Sequence, residues 1–439
     1  MSVGTARANR LLTITAVLAV CLLGRATPGF AQAVETKVVP TSQGFQLLRG
    51  GKPYFVMGGG GDGPKNVLAE CGGNSFRTWS VGGDTLQKLN EAQKLGLSVT
   101  LGIWIDHKDK AYWDDLGNVK KEIEKARQAV SKFKDHPAVL CWAFGNEMET
   151  GGGDCPNLWK TIEAMAQLSH TLDPYHPTMT VIAELGKKPD SIKQYCPNID
   201  IVGVNTYGRG PSVGERFRKA NVGKPYIVTE YGPAGTWESG RNGFGAAIEL
   251  TSTEKAKAYQ ATYVKSVAGQ PGYCLGSYAF TWGFKNEATA TWFGLFLPDN
   301  AKLEGVDMLA ELWSGKPPAH RCPQITKLGI VGSDRVNPGE PVHAAVEGID
   351  PGKGMIQITW TLLKERASYG ITGAGEKGTA DFSSSIVKNG QPTVDITAPA
   401  APGIYRLYCF IHNGPDSAAC GSLPILVGPA PDPKGKPKK

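Results

Sequence analysis

The sequence predicts an α/β fold, a (β/α)8 barrel followed by a small β-sandwich, and three observations lead there. Between 54 and 313, short apolar runs alternate with amphipathic stretches, the pattern of parallel strands joined by covering helices. The alternation passes through eight rounds in about 260 residues, the length such a barrel needs. After Ser-Gly-Lys-Pro-Pro at 314–318 the texture changes to closely spaced strand-like runs, as in a sandwich. A chain of 439 residues also exceeds what one hydrophobic core ordinarily serves, so two domains are expected.

At the amino end, Arg7 and Arg10, an apolar run over 11–24 and the small-residue exit Ala31-Gln32-Ala33 read as a secretory signal peptide over 1–33. The run is shorter than the ~20 residues that span a bilayer. The expectation is therefore cleavage, a secreted or periplasmic location, and no stable membrane insertion afterwards. The barrel is assigned to 34–315, with strands at 54–58, 75–79, 98–105, 139–145, 178–183, 201–205, 226–229 and 275–282. Helices at 85–95, 119–134, 158–172 and 253–268 show apolar residues at three- and four-residue steps. A linker over 316–325 leads to a sandwich domain over 326–428, with strands at 341–346, 355–363, 385–387, 393–396, 404–411 and 423–427. Gly403-Ile404-Tyr405 resembles the corner of immunoglobulin and fibronectin type III domains. Leu407 stands where a true immunoglobulin domain has cysteine, so the fibronectin-like variant fits better. Alternation places Trp360 inward. The Pro/Lys-rich end, 429–439, reads as a disordered tail.

The formal charge of +7 overstates the body. Arg7, Arg10 and Arg25 leave with the leader, and the tail holds four Lys against one Asp, which leaves about +1. With no basic stripe, no nucleic-acid partner is expected. Eight cysteines remain once Cys21 is removed, an even number in a chain bound for an oxidising compartment. Disulfides are expected, Cys409 with Cys420 and Cys155 with Cys196 being two possibilities among many. No His falls in a zinc-binding pattern and the aspartates lack calcium-loop spacing, so no metal is expected. The run Gly58 to Gly63 formally fits G-x-G-x-x-G, but Pro64 at a helix's first turn favours a tight loop at the barrel mouth over a dinucleotide site. No organic cofactor is expected either.

In such a barrel, chemistry gathers at the carboxyl ends of the strands. The run 138–145 ends in Asn146-Glu147, and the run 226–229 ends in Glu230-Tyr231-Gly232. Strands four and seven face each other across the barrel mouth, so the two carboxyls can converge on one bond. A pair ~5 Å apart supports hydrolysis of a glycosidic bond with retention, one group attacking the anomeric carbon while the other protonates the leaving oxygen. Glu147 is assigned as the acid/base, kept protonated by partial burial and by the negative charge of Glu230, the nucleophile. Tyr207 after strand six is placed to donate to Glu230, Arg77 after strand two to favour its charged form, and Asn146 to donate to a sugar 2-hydroxyl. A lone glutamate after a strand is ordinarily a helix-start or surface carboxylate, and it is the conjunction of these motifs that argues for chemistry.

Aromatic faces match the C–H face of a pyranose. Trp104, Trp237 and Trp292 are candidates for sugar subsites, whereas Trp142, inside a strand, reads as core. Asp106 and His107 after strand three are expected to line the cleft, and the Gly-rich segment 235–250 with Trp237, Glu238 and Arg241 to overhang it.

This set resembles clan A of the glycoside hydrolases over roughly 45–315, with nearest echoes of families 2, 5 and 72. The resemblance implies the same roles for Arg77, Asn146, Glu147, Tyr207 and Glu230, and adds Trp282 as the floor of the −1 subsite. It also implies retention and a β-linked polysaccharide or oligosaccharide substrate, with β-glucan expected. The sandwich domains that precede the barrel in family 2 are not found. Two alternatives stand beside hydrolysis: transglycosylation by the same two glutamates, and a non-catalytic carbohydrate-binding surface protein. Nothing in the pattern selects an oligomeric state, and the sandwich is expected to space or support the barrel.

Overall fold

The computed structural model describes residues 1–2, 32–369 and 376–429; the segments carrying most of the predicted leader and tail lie outside these. A small antiparallel sheet comes first, from β1 (Thr36–Thr41), β2 (Gly44–Arg49) and β3 (Lys52–Pro53). It had no counterpart in the sequence reading. Leu47 packs with Val56 and Leu140 at the amino-terminal end of the barrel, and Arg49 donates to the carbonyls of Val139 (2.7 Å) and Pro137 (2.5 Å).

The barrel follows: β4 (Val56–Gly60), β5 (Ser75–Arg77), β6 (Ser98–Ile103), β7 (Val139–Phe144), β8 (Thr178–Ala183), β9 (Ile201–Asn205), β10 (Tyr226–Tyr231) and β11 (Cys274–Phe280). These eight parallel strands close, β11 pairing with β4 from Gly276↔Val56 to Phe280↔Gly60. All eight runs read from the sequence are strands, with ends displaced by no more than two residues. They are legible as near-continuous apolar stretches because both faces are covered, and every residue of β7 is buried. The covering helices start where their caps allow. Asp115 accepts from the amides of Gly117 and Asn118 at the head of Leu116–Phe133, and Thr251 and Glu254 form a capping box before Ser252–Thr262.

The sandwich comprises β12 (Gln324–Val331), β13 (Arg335–Val336), β14 (Pro341–Ile349), β15 (Gln357–Lys364), β16 (Ile386–Lys388), β17 (Thr393–Thr397), β18 (Gly403–Gly414) and β19 (Ser417–Val427). They form two four-stranded sheets, ordered β12-β14-β17-β16 and β13-β19-β18-β15. Trp360 is buried between them, and Tyr405 donates its hydroxyl back to the carbonyl of Ala401 at 2.7 Å, the corner its motif predicts.

The disulfides expected from the cysteine count are not formed: all eight described cysteines are free. Across β18 and β19, Cys409 pairs with Gly421 and Phe410 with Cys420, so the two cysteines stand one position out of register and point to opposite faces. Cys155 and Cys196 are both buried, the latter with its thiol on the carbonyl of Trp159.

The two domains meet over buried charge. Arg406 on β18 is fully buried, donates to Glu365 (2.5 Å), Ser422 (3.0 Å) and the carbonyl of Ala247 (2.8 Å), and lies 3.8 Å from Glu249. The sandwich thus holds the end of segment 235–250. Among the described residues, no helix is long and apolar enough to cross a membrane, and no group of three His, Cys, Asp or Glu is placed to hold a metal.

Candidate active site

A cavity of about 1080 Å³ opens at the carboxyl ends of the barrel strands, lined by residues that include Asn146, Glu147, Asn205, Tyr207 and Glu230. A smaller one of about 510 Å³ lies under the barrel, between the first hairpin and the start of β11, away from these groups.

Glu230 lies within β10, where a bulge falls between Val228 and Glu230 on the β9 side and between Val228 and Tyr231 on the β11 side. A bulge re-aims the side chain that follows it. Three donors converge on the carboxylate: Arg77 (3.1 Å) and the Trp79 indole (2.8 Å) on one oxygen, the Tyr207 hydroxyl (2.7 Å) on the other. Burial drives the Tyr207 pKa well above that of a free phenol, so its proton stays in place to donate.

Glu147 follows β7 in a left-handed conformation, φ 56°, which costs a non-glycine residue ~1–3 kcal/mol. Its amide donates to the carbonyl of Val181 on β8, at 2.9 Å. Burial, and after it the charge of Glu230, raise its pKa to about 7, against which the amide of Asn205 donates to Oε1 at 2.7 Å. Asn146 spends its carbonyl oxygen on Arg77 (2.5 Å) and Asn205 (3.1 Å), which leaves its amide hydrogens for a ligand. Arg77, Asn146, Asn205, Glu147 and Glu230 therefore form one hydrogen-bonded array across the barrel mouth.

The structure brings most of the remaining predicted residues to this cavity. Trp104, His107 and Trp237 line it, His107 stacking on Trp104 with ring centres 5.6 Å apart. Asp106 does not line it but accepts from the Trp104 indole at 2.9 Å, orienting that ring. Two further placements need correction. Trp282 is fully buried behind the strand ends, its indole donating to the carbonyl of Pro64 and stacking near Trp313; Phe280 and Thr281 line the cavity instead. The chain beyond β11 turns back over Gly59, which sits so close to the Trp282 side chain that a Cβ there would meet it at 2.7 Å. Trp292 is likewise core, 2% exposed, with its indole on the carbonyl of Ala234.

The sequence reading overlooked Trp79, Asn205, Glu287 and Glu376 as site residues. Trp79 was legible in principle, because it follows Arg77 by two residues and so shares its face. Glu376 was not: it comes from the sandwich, beyond any barrel motif, and reaches the cavity through the fold.

Residues 67–273 match the family described as Glycosyl hydrolases family 2, TIM barrel domain. Curated relatives include a β-glucuronidase of Streptococcus agalactiae serotype V, 27% identical over 198 residues, which are 38% of this chain and 32% of that protein. A β-glucuronidase of Paenibacillus borealis is 25% identical over 246 residues, 51% of this chain and 39% of that protein. Among solved structures, a GH2 β-galacturonidase from Eisenbergiella tayi bound to galacturonate superposes with a TM-score of 0.51 at 16% identity, covering 64% of this chain and 55% of that one, a likeness of fold. This chain spans between 32% and 39% of the length of these curated relatives.

Proposed function

We propose that this chain, whose barrel belongs to clan A of the glycoside hydrolases, is a retaining β-glycosidase in which Glu230 is the nucleophile and Glu147 the acid/base. The carrying observation is the opposite condition of two carboxyls in one cavity. Glu147 is pushed to about 7 by burial and by its neighbour, while Glu230 receives three hydrogen bonds suited to a carboxylate. In the first step Glu230 attacks the anomeric carbon as Glu147 passes its proton to the departing oxygen, giving a glycosyl ester on Glu230. In the second, Glu147 takes a proton from water, whose oxygen attacks the same carbon and releases Glu230. Arg77 and Tyr207 hold the nucleophile, and the free amide of Asn146 is available to a 2-hydroxyl.

The substrate is a β-linked glycoside. The sequence reading favours β-glucan, while the relatives' names speak of β-glucuronides. On the reading of residues 1–33 as a leader, the protein works outside the cytoplasm, secreted or periplasmic; amino-terminal sequencing of the exported form would check this.

The test is product profiling by mass spectrometry on β-1,3-, β-1,4- and β-1,6-linked glucans, mannans and a β-glucuronide, with Glu230→Ala alongside. Shortened chains or released sugar made by the wild type alone support the reading. Lengthened chains would assign transglycosylation by the same two residues, and no product on any member would overturn the assignment.

A further inference from the structure

Part of the cavity wall is built by two parts of the chain that the barrel motif does not connect. Lys285, Asn286 and Glu287 follow β11, and Glu376 is contributed by the sandwich; all four line the cavity. The two segments are stitched together. The Glu376 amide donates to the carbonyl of Asn286 at 2.8 Å, its carboxylate accepts from the Ala288 amide at 3.1 Å, and Arg366 of the sandwich donates to the Asn286 side chain at 3.0 Å.

The cation that lines this wall and those that pair with the cavity's glutamates are already committed. Lys285, the single Lys or Arg lining the cavity among the described residues, is held by Glu287 at 2.7 Å and lies 5.1 Å over the Phe280 ring. Arg366 pairs with Glu376 at 3.2 Å, Arg216 with Glu184 at 2.6 Å, and Arg77 is spent on Glu230 and Asn146. Seven carboxyl side chains line the cavity against one lysine and one histidine. Glu287, 2% exposed, has its carboxyl pushed upward by burial and, in smaller part, by Glu230 and Glu376.

Resting on the glycosidase reading above, we propose that this two-domain wall selects sugars that carry no carboxylate, neutral or amino sugars, and turns away uronides. A uronide would bring its carboxylate among carboxylates with no unpaired Lys or Arg among the described residues that line the cavity, a like-charge approach that disfavours the wrong ligand. Hydroxyl and ammonium groups can instead donate to the free oxygens of Glu287 and Glu376.

The experiment compares kcat/KM of the full chain on 4-nitrophenyl β-glucoside, β-glucosaminide and β-glucuronide, then repeats it with Glu287→Gln and with Glu376→Gln. At least one of the two carboxylate-free substrates should exceed the glucuronide by about tenfold or more. Either variant, by releasing Lys285 or Arg366, should narrow that ratio through a gain on the glucuronide. Circular dichroism checks that each variant is folded, and the sandwich-borne Glu376→Gln gives the same readout where Glu287→Gln is unstable. Preference of the wild type for the glucuronide would overturn the proposal and leave the glycosidase reading standing. Turnover of none of the three, with no covalent labelling of Glu230 by a 2-fluoro-β-glucoside, would remove that reading and this inference with it.

Discussion

The side-chain amide of Asn205 donates to Oε1 of Glu147 at 2.7 Å and to Oδ1 of Asn146 at 3.1 Å, while its own oxygen accepts from the Thr229 hydroxyl at 2.8 Å. Thr229 thereby fixes which way the amide faces, and the amide fixes which oxygen of Glu147 is left for the proton. Asn205→Ala should lower kcat by about tenfold to a hundredfold through lost positioning. It should also move the alkaline limb of the pH profile upward, because a donor to the carboxylate form has been removed. A fall in rate with an unmoved limb would make Asn205 merely structural.

In the wild type, Glu147 must be protonated to assist departure of the leaving group, and its raised pKa sets where that proton is lost. Activity should decline as pH rises through about 7. Glu147→Ala should lose about 100-fold or more on substrates with poor leaving groups, keep turnover of activated aryl glycosides, lose the alkaline limb, and regain rate with azide. Glu230→Ala should abolish turnover with the fold intact. Steady-state kinetics across pH on both variants checks the pair.

Arg406 joins the sandwich to segment 235–250 from a fully buried position. Arg406→Met leaves Glu365 without its buried partner, and stability should fall by about 3–5 kcal/mol. Urea unfolding measures this, and KM should rise at sub-denaturing temperature as the segment bearing Trp237 loosens.

Two tryptophans predicted as equivalent should behave oppositely. Trp237 lines the cavity at 54% exposure, whereas Trp292 is 2% exposed. Trp237→Ala should raise KM for oligosaccharides with stability changed by no more than about 0.5 kcal/mol, and Trp292→Ala should cost about 3–5 kcal/mol. Thermal melts and saturation curves on both separate the cases.

The barrel, the sandwich and the position of Glu147 and Glu230 at the barrel mouth were legible in the chain because each rests on local pattern. A parallel strand buried on both faces reads as an unbroken apolar run, and a polar group closing that run stands at the barrel mouth whatever the rest of the fold does. Trp360 and the Tyr405 corner are legible for the same reason, since alternation and a short-range hydrogen bond settle them. What tertiary structure alone decided concerns groups whose surroundings come from distant segments. The pattern closes the last strand with Trp282, yet β11 ends at Phe280 and the path of the chain past Gly59 turns Trp282 into the core. Cys409 and Cys420 stand near each other on one hairpin, yet the register sends them to opposite faces. Glu376 enters the cavity from the sandwich because the charge of Arg406 and the stitching of Asn286 press the two domains together. Periodicity places a residue on a face of its own element; which other element meets that face is set by packing, and packing sums over the whole chain.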